Sequence, residues 1–126
     1  MSMKLIVAFV QPYALERVEH ALLRLPRFPG VTVSEVRGYG QGKAGVPRTP
    51  REQLVEFTGK LRLEVACLDE DAHGIIEAIE GAAHTGQRGD GKVLVLDLAA
   101  AVRIRTGERD HDAIRSPLRD EEGPST

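Results

Sequence analysis

The chain lays down one pattern twice: an apolar segment of strand length, a stretch with helical periodicity, then a second strand. Met3 to Val10 is apolar except for Lys4, short enough for a strand buried on both faces, and Gln11-Pro12 ends it. From Ala14, the residues Leu15, Val18, Leu22 and Leu25 recur at helical steps while Glu16, Arg17, Glu19 and Arg24 face out, until Pro26 and Pro29-Gly30 stop the pattern. Val31 to Tyr39 alternates as a second strand. Leu61, Leu63, Val65 and Cys67 alternate with Arg62, Glu64 and Ala66 in a third, and Asp69-Glu70-Asp71 opens a second helix marked by Ile75, Ile76, Ile79, Ala82 and Ala83. Lys92 to Leu98 is the fourth strand. This order predicts an α+β fold of the ferredoxin-like βαββαβ type, with both helices on one face of a four-stranded antiparallel sheet. The other face would carry uncovered Val, Leu and Ala side chains, which argues for an oligomer.

Two segments carry the chemistry. Thr85-Gly86-Gln87-Arg88-Gly89-Asp90-Gly91-Lys92 is a glycine-rich loop whose backbone N–H groups can approach an anion, and Arg103-Ile104-Arg105-Thr106-Gly107-Glu108 follows closely. With Lys92, Arg103 and Arg105 as cationic donors, the two read together as one phosphate site. On an extended segment, Arg103 and Arg105 would leave the same face while Ile104 packs behind. The bland reading is a hairpin turn with solvated charges. The connection from Gly40 to Lys60 is a second anomaly, because loops of this length without structure of their own are usually functional or disordered. Between Arg37 and Arg62 six Lys or Arg face only Glu52 and Glu56, so the loop is basic, whereas Gly107 to Thr126 carries three Arg against six acids.

At 126 residues the chain is one domain by length. Its net charge of −2 gives no general reason to expect nucleic acid or membrane, and with aromatics at 4% the core must be aliphatic. The single cysteine, Cys67, falls in an apolar run where an inert buried thiol is expected. With neither a leader nor an apolar stretch near spanning length, the expected location is the cytoplasm.

These segments resemble the PII signal-transduction family, the trimeric ferredoxin-like proteins that sense adenylate nucleotides and 2-oxoglutarate in nitrogen control. Val31 to Gly40 is similar to the strand leading into that family's T-loop, Phe57 to Glu64 to the strand leaving it, Thr85 to Lys92 to its B-loop and Arg103 to Glu108 to its C-loop. The likeness covers Met3 to Arg115, which implies a core domain over 1–115, a mobile T-loop over 40–60 and a disordered acidic tail over 116–126. It implies ATP or ADP in clefts between subunits, with Mg²⁺ accompanying ATP. The nucleotide-binding candidates are then Thr32, Gly38, Gly40, Thr85, Gly86, Gly89, Asp90, Gly91, Lys92, Arg103 and Arg105, with Thr32 and Gly38 near adenine and ribose. Gln41, Lys43 and Lys60 are the effector-binding candidates. The implied partner, reached through residues 40–60, is a membrane transporter or a metabolic enzyme, with peripheral recruitment to the membrane in the first case.

The chain also departs from the family. Gln53 stands where some members carry a uridylylated tyrosine, Gly42-Lys43 takes the place of a Gln-Lys pair with Gln41 one position early, and Gln87 replaces a basic residue. Lys60 keeps the place of the family's carboxylate-binding lysine. Four histidines, His20, His73, His84 and His111, show no metal-ligand spacing, and no catalytic triad is apparent. The expected role is regulatory. The alternative is slow nucleotide or acyl-phosphate hydrolysis on the same fold; an RNA-binding sheet would need more stacking aromatics than Phe9 and Tyr39.

Overall fold

A computed structural model describes residues 2–38 and 58–115. Strand β1 spans Met3–Val10. Pro12, on a first-turn position where its missing N–H is harmless, opens a 3-10 turn over Pro12–Ala14 that runs into helix α1, Leu15–Leu23. Strand β2 is Thr32–Gly38 and strand β3 is Thr58–Leu68. Helix α2, Asp69–Ala83, begins with three acids in its first turn, where the helix dipole favours negative charge. Strand β4 is Gly91–Leu98, and a one-turn helix α3, His111–Ile114, closes the described chain.

The strands form one antiparallel sheet in the order β2-β3-β1-β4. Its register is continuous: Glu35 faces Leu61, Leu61 faces Val10 and Val10 faces Gly91, while at the other end Met3 lies between Leu68 and Leu98. Period-two alternation then sorts the side chains. Ile6, Ala8 and Val10 of β1 and Leu61, Leu63, Val65 and Cys67 of β3 point to the helices and form the main core with Val18, Leu22, Ala72, Ile75 and Ile79. Burying each large aliphatic side chain there contributes roughly 1.5–3 kcal/mol. Leu25, just beyond α1, packs beside Gly74 of α2, where a Cβ would stand 3.8 Å from its side chain in ordinary contact. Arg27, in the connection after α1, pairs with the first turn of α2, reaching Asp71 at 2.7 Å and Glu70 at 3.3 Å.

Among the described residues, no helix layer covers the opposite sheet face. Met3, Val7 and Leu68 are buried on it, but Leu94 and Leu96 remain 45% and 47% exposed. Lys60, Arg62 and Lys92 share this open face with Phe9, because Arg62 and Lys92 both stand opposite Phe9 in the register. At the far end, Ile114 of α3 packs on Met3 and Leu68 in a small second cluster.

The sequence reading differs in three places. The connection expected over Gly40 to Lys60 is shorter, since Thr58, Gly59 and Lys60 already pair with β2. Arg103 and Arg105 do not share a strand: Val102 bridges Arg109, and Ile104 to Thr106 form the turn between them. Ile104 does not pack behind the arginines but is 97% exposed. Tyr39, Gly40, Gln41, Gly42, Lys43, Gln53 and the tail over 116–126 lie outside the described residues.

Candidate functional site

The glycine-rich loop leaves the C-terminal end of α2 at His84 and enters β4 at Gly91. A helix C-terminus carries partial negative charge, so any affinity for anions here must come from side chains and loop amides. The loop is braced by its own residues. The Asp90 carboxylate accepts hydrogen bonds from Thr85 N at 2.7 Å and Gly86 N at 2.9 Å, and from the Thr85 hydroxyl. Gln87 N donates to that hydroxyl at 3.1 Å, and Asp90 N donates to the Gln87 carbonyl at 3.4 Å. The Thr85 hydroxyl, followed by backbone N–H donors, holds the Asp90 carboxyl below the usual aspartate value.

Three glycines in this loop, Gly86, Gly89 and Gly91, have φ of +89°, +92° and +113°. The need is most severe at Gly91, where a Cβ would stand 1.7 Å from the Phe9 carbonyl oxygen. Gly89 is crowded by ligating side chains instead: its carbonyl accepts from Gln11 Nε2 at 2.7 Å and from Lys60 Nζ at 2.8 Å. Lys92 follows on the open face beside Phe9, whose ring lies 5.7 Å from the Arg62 guanidinium in cation–π contact. A cleft of about 420 Å³ opens beside the loop, lined by residues including Ile76, Ile79, Glu80, His84, Asp90 and Val93.

The structure therefore gathers Thr85, Gly86, Gly89, Asp90, Gly91, Lys92 and Lys60 at one end of the sheet. Thr85, Gly86 and Asp90 spend their donors and acceptors on one another, which makes them the frame of the loop. Gly38 pairs with Thr58 near the same end but on edge strand β2. Thr32 lies mid-sheet on β2, opposite Glu64, and two strands separate β2 from β4.

The arginines are elsewhere. Val10 pairs with Gly91 and Met3 with Leu98, so the glycine loop and the segment after β4 lie at opposite ends of the sheet, about 23 Å apart at 3.3 Å per residue. Arg103 confirms the placement. Its guanidinium donates to the carbonyls of Ala113 at 3.1 Å and Arg115 at 2.9 Å and lies 3.3 Å from Glu108, beside the helix whose Ile114 packs on Met3 and Leu68. Arg105 is exposed in the adjoining turn. Within one copy, therefore, the glycine loop and the two arginines do not form a single anion site.

Sequence reasoning missed Gln11 and Arg62. A lone glutamine carries no motif, and the signal available was only its position before Pro12, which restricts it to extended backbone. Arg62 was counted as loop charge, whereas its place in the register sets it beside Phe9. Among the described residues no three His, Cys, Asp or Glu gather to hold a metal ion, and no helix is long and apolar enough to cross a membrane.

The family model for Nitrogen regulatory protein P-II matches residues 3–108. The chain is 42% identical over 113 residues to the Nitrogen regulatory protein P-II of Rhizobium meliloti, covering 89% of this chain and all of that one. It is 40% identical over 114 residues to Nitrogen regulatory protein GlnK of Escherichia coli, with the same coverage. The crystal structure of Arabidopsis thaliana PII bound to citrate superposes with a TM-score of 0.74 at 34% identity, covering 89% of this chain and 92% of that one. The chain belongs to the nitrogen regulatory P-II family.

Proposed function

We propose that this chain is a ferredoxin-like homotrimer that senses ATP and ADP in clefts between subunits and relays their state to a partner. The observation that carries the reading is the separation of two anion-binding halves: a braced glycine loop with Lys92 at one end of the sheet, and Arg105 exposed at the other. The bare Leu94 and Leu96 on the open face support burial against further copies. In the assembled cleft Gly89, Gly91 and Lys92 of one copy meet Arg103 and Arg105 of the next around the phosphates. Thr32 and Gly38, on the opposite edge strand, approach adenine and ribose.

Nucleotides act by population shift: ATP and ADP change how the connection between β2 and β3 meets its partner only as far as they bind the partner-competent state with different affinity. The family resemblance assigns Gly40, Gln41 and Lys43 to reporting the γ-phosphate, and Mg²⁺ would arrive with ATP. The reading locates the protein in the cytoplasm, recruited peripherally if its partner is a membrane transporter; a metabolic enzyme is the other partner class. Citrate on the Arabidopsis relative supports a carboxylate effector, for which Lys60 is the charged contact; with Gly42 in place of an amide side chain, 2-oxoglutarate should bind weakly. Calorimetric titration with ATP, ADP and AMP, with and without 2-oxoglutarate, tests the reading. Saturable ADP binding that falls at least tenfold in Lys92→Ala supports it, since a charge-assisted contact contributes roughly 1.5–3 kcal/mol. Steady hydrolysis of ATP or an acyl phosphate at several turnovers per second would favour an enzyme instead.

A further inference from the structure

The Gly89 carbonyl is held by two residues from outside the loop. Gln11 reaches it from the end of β1 and Lys60 from β3, at 2.7 and 2.8 Å. The two donors thus cross the sheet end from β3 past β1 to the loop that enters β4. The held group matters because Gln87 to Asp90 form a tight turn, with Asp90 N bonded to the Gln87 carbonyl and Gly89 at φ +92°, the left-handed third position of a type II turn. The peptide plane that carries the Gly89 carbonyl also carries the Asp90 N–H on its opposite side. Fixing that carbonyl fixes the plane, and with it the approach to Asp90, Gly91 and Lys92.

The two donors differ in what else they can do. Lys60 is a charged donor, and an anion arriving at this end of the sheet competes with the Gly89 carbonyl for it. Gln11 carries no charge, and its backbone is set at φ −70°, ψ 143° by the following Pro12 and by the Ala14 N–H bonded to its carbonyl. Its amide nitrogen lies against the loop, 2.9 Å from where a Cβ on Gly89 would stand.

We propose that Gln11 is a positioning residue for the phosphate loop: its amide holds the Gly89 carbonyl so that the loop stays set for nucleotide when Lys60 leaves for an anion. The proposal rests on the nucleotide reading for its functional consequence, but the clamp itself can be read independently. Calorimetry with ADP on Gln11→Met, which keeps length and loses the donor, should show affinity about three- to tenfold weaker, the usual effect of one uncharged hydrogen bond. Gln11→Lys restores a donor of similar reach and should bind within about twofold of the parent. Because either donor alone partly holds one shared carbonyl, Gln11→Met with Lys60→Met should lose more than the product of the single losses. Unchanged affinity in Gln11→Met, or a double variant equal to that product, would overturn the proposal.

If the parent protein binds no adenylate nucleotide, the function proposed above fails while the clamp remains testable by amide exchange. Gln11→Met should then speed exchange at Gly86 and Asp90 and leave Leu94 and Leu96 as protected as in the parent. Equal exchange at Gly86 and Asp90 in the two proteins would overturn the clamp itself.

Discussion

Gly91 backs onto Phe9 so closely that a β-carbon there would fall 1.7 Å from the Phe9 carbonyl oxygen. The contact joins the entry of β4 to the end of β1 at the point where the glycine-rich loop ends. Gly91→Ala faces both this clash and a φ of +113°, and should lower stability by roughly 2–4 kcal/mol. Urea unfolding at one fixed protein concentration measures it; a midpoint equal to that of the parent would contradict the geometry.

The two arginines should separate in their effects. Arg103 anchors the carbonyls of Ala113 and Arg115 and pairs with Glu108, with its side chain only 21% exposed. Arg103→Ala should therefore cost about 1–2 kcal/mol of stability besides weakening ADP. Arg105→Ala should stay within about 0.5 kcal/mol of the parent in stability and weaken ADP on the order of tenfold or more. Thermal melts paired with calorimetry distinguish this from two interchangeable charges.

Asp90 gives the pH dependence its sign. Its folded value lies below the ordinary 3.8, chiefly through the Thr85 hydroxyl, so its stabilisation of the loop is fully present above about 3.8 and is lost as pH falls through the lower folded value. Loop order, followed by the amide resonances of Thr85 and Gly86, should be insensitive to Asp90 between pH 5 and 8 and decline only in strong acid. Asp90→Ala should show the disordered loop already at pH 7.

Cys67 is fully buried in the main core, and burial pushes its thiol up to about 11. In the native protein at pH 8 it should be inert to iodoacetamide and react once urea unfolds the chain, because the thiolate is the nucleophile. Rapid native labelling would contradict the packing around it.

Much of the fold was legible because its signals are periodic. The apolar run of Met3 to Val10 matches β1 residue for residue, and the alternation of Leu61, Leu63, Val65 and Cys67 named the buried face of β3 correctly. The errors fall where one local rule had two readings. Arg-Ile-Arg has the period of a strand, but the Gly107 N–H bonded to the Arg103 carbonyl folds it into a turn and leaves Ile104 bare. The turn of helix at His111–Ile114 is too short for any periodicity to announce it. For the candidate site, chemistry was readable and place was not. Glycines and cations marked both candidate segments, whereas their distance followed only from the register of β1 with β4.

The central claim is that one cleft takes its glycine loop from one copy and its arginine from another, and subunit complementation tests it most directly. Lys92→Ala and Arg105→Ala chains, each weak for ADP alone, would be co-refolded in equal amounts and titrated calorimetrically. Random mixing should return about a quarter of the clefts with Lys92 from one chain and Arg105 from the other, binding ADP with the affinity of the parent protein. A mixture that binds no better than either variant alone would contradict the account, because it would mean that each site is built within a single chain.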